Sequence, residues 1–573
     1  MTRDRTIAIA IACLALSACA GKPATGTFTL SLIGTNDLHG GVLEDNGRGG
    51  LALLDGYISN LRAARQQDGG AVLLLDGGDL FQGTLESNLT EGAVVVDAYN
   101  TIGYQVVTVG NHEFDYGPVG NAVVPEAPGD DPRGALKARL AQSHFPWVAS
   151  NLLETATGKP VQWPNVAPST VITVNGVKIG VAGLITSAAL TATIAANVPD
   201  LSVAPLDRAL IDEATRLRAA GATIVIGLAH AGGTCRDVSN PSDLSSCDPR
   251  SEIFSVARAT PPGLVDAIVG GHRHLLLAHD VNGIPIIESA SSGRQFGRID
   301  LVVDRATGRA VSHRVFPPRE LCAREVAGGQ GCAPASAPDG EPAEYEGRLV
   351  VPSARIAKVL EPAIARAADL KVTPLGKSRL TAPLVRGGDE AGGPVGDLLA
   401  DWMRAVVPGA DLAITNSGGL RANLPEGPLT YGRLYELIPF DNLRMVVSLT
   451  GAELRTVIAE NVTRAGSRIV LSGVRATAAC NGGRVNVVLV RDSGRPIRDD
   501  DVLKVVTTDF LITGGDSFFT PVAPVHVEST GGPIREEIAE MLTREGGTWG
   551  AERRALPPRI QLQGTRPLAC AAP

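Results

Sequence analysis

Five short apolar runs in this chain each stop at a cluster of glycine and polar residues. The run at 105–109 ends in GNHEFDYG at 110–117, the run at 27–33 in GTNDLHG at 34–40, and the run at 71–75 in DGGD at 76–79. Two later runs, 222–227 and 264–269, end in LAHAG at 228–232 and GGHRH at 270–274. Apolar runs of this length bounded by glycine read as buried strands. Any one cluster reads equally well as a capped turn. Five of them constrain the fold to a sheet whose strand ends gather polar groups at one mouth, the usual place for a ligand in α/β proteins.

Helical spacing at 51–65 and 92–102 alternates with these strands, and 178–184 reads as another strand. The pattern predicts an α/β layered domain. The Gly/Pro-rich piece 117–134 reads as a loop, and 321–345, rich in Cys, Gly, Pro and Ala, as a disulfide-pinned connector. Residues 348–370 read as a helix interrupted at Pro362. A second α/β domain follows, with helices at 395–406 and 451–461 and a strand at 411–415.

The N-terminus is set apart. Arg3 and Arg5 precede an apolar run at 7–16 that is too short to span a bilayer, the pattern of a secretory signal. It ends in LSAC at 16–19, which resembles the bacterial lipobox, with Cys19 as the lipidated residue; ordinary cleavage beside Cys19 is the alternative. Lipid at Cys19 would tether the protein to a membrane facing the periplasm or the cell exterior. Ala20 stands where an aspartate resembles an inner-membrane retention signal, so the outer membrane is favoured. The division expected is 1–19 signal peptide, 20–27 tether, 28–345 first domain, 346–371 linker helix and 372–565 second domain. A net charge of -8 argues against a nucleic-acid polymer as partner. No obligate protein partner is evident in the sequence.

Setting aside Cys13 and Cys19 leaves six of the eight cysteines, an even number suited to an oxidising compartment. Spacing suggests the pairs Cys235–Cys247 and Cys322–Cys332, and elimination leaves Cys480–Cys570. Zinc ligation is the weaker alternative.

The strand-end residues are Asp37, His39, Asp79, Asn111, His112, His230, His272 and His274, which include five of the nine histidines in the chain. Imidazole and carboxylate suit zinc, manganese or cobalt. One bridging aspartate, several histidines and an asparagine carbonyl fit two divalent ions ~3.5–4 Å apart, the usual spacing in two-metal hydrolases.

Together these motifs resemble the calcineurin-like metallophosphoesterases. More narrowly, the octapeptide at 110–117 resembles the secreted 5′-nucleotidase, UDP-sugar hydrolase and 2′,3′-cyclic phosphodiesterase family. The resemblance implies a four-layer α/β/β/α metallophosphoesterase domain followed by a smaller α/β 5′-nucleotidase C-terminal domain. It assigns Asp37, His39, Asp79 and His274 to one ion, and Asp79, Asn111, His230 and His272 to the other. Many close members carry Gln or Asn at the place of His274. His112, its tautomer fixed by Asp115, would stabilise the phosphoryl transition state and help the leaving group.

In the second domain TNSGGLR at 415–421 follows a strand, and LIPFD at 437–441 and TDFLITGGD at 508–516 each set a phenylalanine beside turn residues. Two phenylalanines can sandwich a base. The same family resemblance puts Phe440 and Phe510 on the base, Asp516 on the ribose, Asn416 near the base, and Arg421 and Arg386 on phosphate. The expected function is hydrolysis of nucleoside 5′-monophosphates by metal-activated water. Alternatives are a UDP-sugar or dinucleotide pyrophosphatase, a 2′,3′-cyclic phosphodiesterase with 3′-nucleotidase activity, a sulfur-oxidation thiosulfohydrolase, or a non-catalytic nucleotide-binding surface protein. A cleft between the two domains would close for catalysis.

Overall fold

A computed structural model of the chain describes residues 26–570 apart from 121, 329–330, 335, 338–339, 388–392 and 465–468, and only the backbone of 555. The expected signal, Cys19 and most of the expected tether lie outside the described residues. Among the described residues no helix is long and apolar enough to cross a membrane.

The apolar runs are strands. Thr27–Thr35, Ala71–Asp76 and Val106–Thr108 lie parallel in a seven-stranded sheet, with Thr35 opposite Asp76 and Leu75 opposite Val106. Val177–Ile185, Ile224–His230, Ala267–Val269 and Ile284–Ser289 lie parallel in a six-stranded sheet. Parallel pairing brings the carboxyl ends of successive strands to the same rim, so each sheet delivers its polar clusters side by side. Ile224–His230 is buried along its whole length, as a strand covered on both faces must be.

The two sheets pack face to face. Leu30, Leu32, Leu73 and Leu75 of the first meet Ile179, Val181, Ile226 and Ile287 of the second. Each fully buried aliphatic side chain contributes about 1.5–3 kcal/mol. Leu51–Asp68 and Ala93–Ile102 cover the outer face of the first sheet through Tyr57, Leu61 and Tyr99, and Leu206–Ala219 and Glu252–Ala259 cover the second. The layers run α/β/β/α. At the rim the sheets touch backbone to backbone: a Cβ on Gly77 would lie 2.7 Å from Gly270 O. Glycine is required at this contact.

The helix Ala354–Val372 begins six residues later than its sequence suggests and runs through Pro362 without a break. Residues 348–349 instead pair with 344–345 in a short antiparallel ladder. Proline removes one intrahelical bond, but its fixed φ is helical, and Ile356, Leu360, Ala363 and Ala367 bury one continuous face on either side of it. That packing overrides the breaker.

Beyond the helix, a five-stranded sheet carries the strands Leu412–Asn416, Leu443–Thr450 and Val502–Thr508, and two three-stranded sheets flank it. Gly393–Ala405 and Ile534–Glu545 cover one face, Gly451–Thr463 the other. All three cysteine pairs suggested above are disulfides.

Candidate active site

Five loops of the first domain converge at the shared rim. Asp37, His39, Asp79 and His274 bring one ligand atom each to within 4.8 Å of one another, as do Asp79, His230 and His272. Asp79 belongs to both groups. Asn111 Oδ1 completes the second, 3.0 Å from His230 Nε2 and 3.0 Å from His272 Nδ1.

The hydrogen bonds around the rim fix which atoms face inward. His39 Nδ1 lies 3.0 Å from Gln82 O and His230 Nδ1 lies 2.8 Å from Gly77 O. A carbonyl oxygen only accepts, so both imidazoles carry a proton on Nδ1 and turn Nε2 inward. Nε2 of His230 lies 3.2 Å from Asp79 Oδ2 and 3.0 Å from the Asn111 carbonyl; that of His39 lies 2.9 Å from His274 Nε2. Asp37 Oδ2 accepts His272 N–H at 2.8 Å, and Asp79 Oδ1 accepts His112 N–H at 2.8 Å. Asp37 Oδ1 is buried, and its neighbour is His274 Nε2 at 3.2 Å, outside hydrogen-bond geometry.

Acceptors converging on acceptors are stable around a cation. Charge shows the same demand. Burial opposes protonation of His230, yet Asp79 lifts it to about 10. Burial also opposes ionisation of Asp79, but His230 and His112 hold it well below the usual carboxylate range. Burial and then His230 push His272 down to about 3. The donor set fits one or more divalent ions.

Beside this cradle, His112 Nδ1 donates to Asp115 Oδ2 at 2.6 Å, and Asp115 Oδ1 accepts Thr193 Oγ1–H at 2.9 Å. Burial lowers the basicity of His112, but Asp115 and then Asp79 outweigh it and raise its pKa. Its Nε2 accepts from Arg421 Nη2 at 3.1 Å across the interdomain cleft. The Arg421 guanidinium lies 5.2 Å from the Phe440 ring centroid, a cation–π distance.

One cavity of about 260 Å³ brings the two domains together. Asp79, Asn111, His112, Asp115, His272 and His274 line it from the first domain; Asn416, Arg421, Phe440, Phe510 and Asp516 line it from the second. Asn416 donates to Asp516. Asp509 Oδ1 accepts the N–H groups of both Leu443 and Phe510, at 2.8 and 2.9 Å, so a single oxygen ties the segments that carry the two phenylalanines. Arg386 stands behind this surface. Its Nη1 donates to Leu420 O at 2.9 Å, and it is not among the cavity-lining residues.

Sequence reasoning passed over Glu113, Thr193, Arg273 and Glu288. Glu113 takes the N–H groups of Asp79, Leu80 and Gly110 at 2.7–2.8 Å. Glu288 takes those of Gly233 and Arg273. A glutamate inside the apolar run IPIIES at 284–289 was the available signal for the latter.

The model of the 5′-nucleotidase C-terminal domain matches residues 368–523. Endonuclease YhcR of Bacillus subtilis (strain 168) is 24% identical over 529 residues, an alignment covering 88% of this chain and 38% of that protein's length. A 5′-nucleotidase of Vibrio cholerae serotype O1 is 25% identical over 546 residues, covering 88% of this chain and 89% of its own. The crystal structure of a 5′-nucleotidase precursor from Thermus thermophilus shares the fold, with a TM-score of 0.72 at 22% identity over 93% of this chain and 99% of that one. The C-terminal part of the chain thus matches the 5′-nucleotidase C-terminal domain, and most of its length is similar to a 5′-nucleotidase in sequence and to another in fold.

Proposed function

We propose that this protein is an exported hydrolase that removes phosphate from nucleoside 5′-monophosphates. The observation that carries the reading is the cavity in which the shared-aspartate cradle, the His112–Arg421 pair and both phenylalanines face one another. The name of the Vibrio cholerae relative, 5′-nucleotidase, supports the substrate class.

On this reading Asp37, His39, Asp79 and His274 hold one divalent ion, and Asp79, Asn111, His230 and His272 hold a second. Bound there, the ions lower the pKa of water and neutralise phosphate oxygens for in-line attack. Arg421 leaves His112 to donate to the phosphoryl oxygens, where its planar fork suits the anion. His112, kept basic by Asp115, carries a proton on Nε2 toward the leaving ribose oxygen. Phe440 and Phe510 stack on the base, each contact worth about 1–3 kcal/mol. Asp516 and Asn416, already paired with each other, present acceptor and donor to ribose and base. Arg386 acts from behind by holding the Leu420 carbonyl of the Arg421 loop. Lipid at Cys19 keeps the enzyme at the membrane surface, the outer membrane where the host has two.

The test is phosphate release by residues 20–573 after chelation and refilling with Mn²⁺, Zn²⁺ or Co²⁺. AMP, ADP, UDP-glucose, 2′,3′-cyclic AMP and p-nitrophenyl phosphate form the panel, with His112→Ala as control. Metal-dependent release from AMP that is lost in the variant is expected. Turnover of UDP-glucose or the cyclic nucleotide in preference to AMP would replace the substrate assignment, and no turnover with metal bound would overturn the reading.

A further inference from the structure

The cradle is assembled at the rim of two sheets, and a buried glutamate stands beside each, Glu113 in the turn after Val106–Thr108 and Glu288 within a strand. On the first, Glu113 binds the backbone of Asp79 and Gly110 with one oxygen and of Leu80 with the other, which ties two ligand loops together. On the second, Glu288 has no solvent exposure and sits on Ile284–Ser289, a strand that contributes no ligand. Its Oε2 accepts Gly233 N–H at 3.2 Å, three residues beyond His230, and its Oε1 accepts Arg273 N–H at 3.1 Å, between His272 and His274. The approach is close enough to dictate sequence: a Cβ on Gly232 would lie 2.3 Å from Glu288 Oε2.

We propose that Glu288 is the positioning residue of the second sheet, holding the His230 loop and the His272/His274 loop in register so that both ion sites keep their geometry. The inference rests on the metal-holding reading above. His272 and His274 have left-handed backbones, at φ 76° and 58°, which for residues other than glycine must be imposed from outside. The peptide between them is the one Glu288 grips. A partner behind a ligand commonly governs metal affinity about 10–100-fold. Since His274 serves one group and His272 the other, loosening this peptide weakens both ions together.

The experiment compares wild type, Glu288→Ala, Glu288→Gln and Ile286→Ala, the last a buried neighbour on the same strand that touches neither loop by hydrogen bond. Chelator-stripped proteins are titrated with Mn²⁺ by calorimetry, and Tm is measured with and without the ion. Glu288→Ala is expected to weaken Mn²⁺ binding about 10–100-fold and to shrink the ion-induced rise in Tm. Glu288→Gln, which keeps one acceptor oxygen and the same size, loses less. Ile286→Ala lowers Tm in both states but binds Mn²⁺ as wild type does. Binding within about twofold of wild type in Glu288→Ala overturns the inference, as does an equal loss in Ile286→Ala. Should Glu288→Ala fail to fold, wild-type affinity in Glu288→Gln overturns it. Wild type that takes up neither Mn²⁺ nor Zn²⁺ overturns the reading of the site and this inference with it.

Discussion

Arg421 and His112 come from different domains and meet at 3.1 Å with the imidazole lone pair as acceptor. A guanidinium so placed can exchange His112 for a phosphate oxygen without leaving the cleft. Replacing Arg421 with alanine is expected to lower kcat/KM for AMP about 10²–10³-fold, the usual cost of deleting one donor to a developing oxyanion. Lysine should recover little, because a point charge cannot make the paired contact; steady-state kinetics on the three proteins checks both. The residue types of the cradle were legible because Asp, His and Asn recur at strand ends. What could not be read were the inward tautomers of His39 and His230, since they depend on carbonyls of Gln82 and Gly77 that only the folded chain supplies. Glu288 was invisible for a related reason: its partners lie 15 and 55 residues away in sequence.

At the scale of elements, the strands were legible from their apolar runs, whereas Pro362 misled. A proline is a local signal, and the helix Ala354–Val372 is decided by the tertiary packing of its buried face. That helix also carries an interdomain tie the sequence did not reveal. Lys371, in its last turn, reaches Glu86 of the first domain at 2.9 Å and Glu436 of the second at 3.5 Å. Glu86 is almost wholly buried. Leu85, Ala367 and Tyr435 pack beside it, and Gln82 Nε2 donates to Pro439 O, one residue before Phe440. Lys371→Ala would leave a buried carboxylate without its partner. Because the lysine is itself partly exposed, the expected loss is toward the low end for a broken buried pair, about 2–3 kcal/mol. Denaturant unfolding measures it, and Glu86→Gln/Lys371→Ala should recover much of the loss.

Over the whole molecule, the α/β class followed from strands alternating with helices, and the four layers from the family resemblance. The sheet orders did not, because register and crossover are set by contacts far apart in sequence. The three disulfides close loops of very different size. Cys235–Cys247 and Cys322–Cys332 span 12 and 10 residues, but Cys480–Cys570 spans 90 and fastens the C-terminal segment to the strand Val474–Asn481. Loop-closure entropy assigns about 4–5 kcal/mol to the long bridge and about 3 kcal/mol to each short one. Removing Cys480–Cys570 as a paired serine variant is thus expected to destabilise the second domain more than either other removal, read as the shift of the denaturant midpoint.

Asp37, His39, Asp79, His272 and His274 all hold left-handed backbones, with φ between 49° and 76°. Each such residue costs on the order of 1–3 kcal/mol, and a glycine in its place would adopt the same conformation freely. The most stable sequence for this fold is therefore not the one the chain carries. Under selection for folding alone these five positions would drift toward glycine and the cradle would dissolve. Their presence as aspartate and histidine means that the loops are kept by what they hold, and that a lineage which stopped using the site would gain stability by losing it.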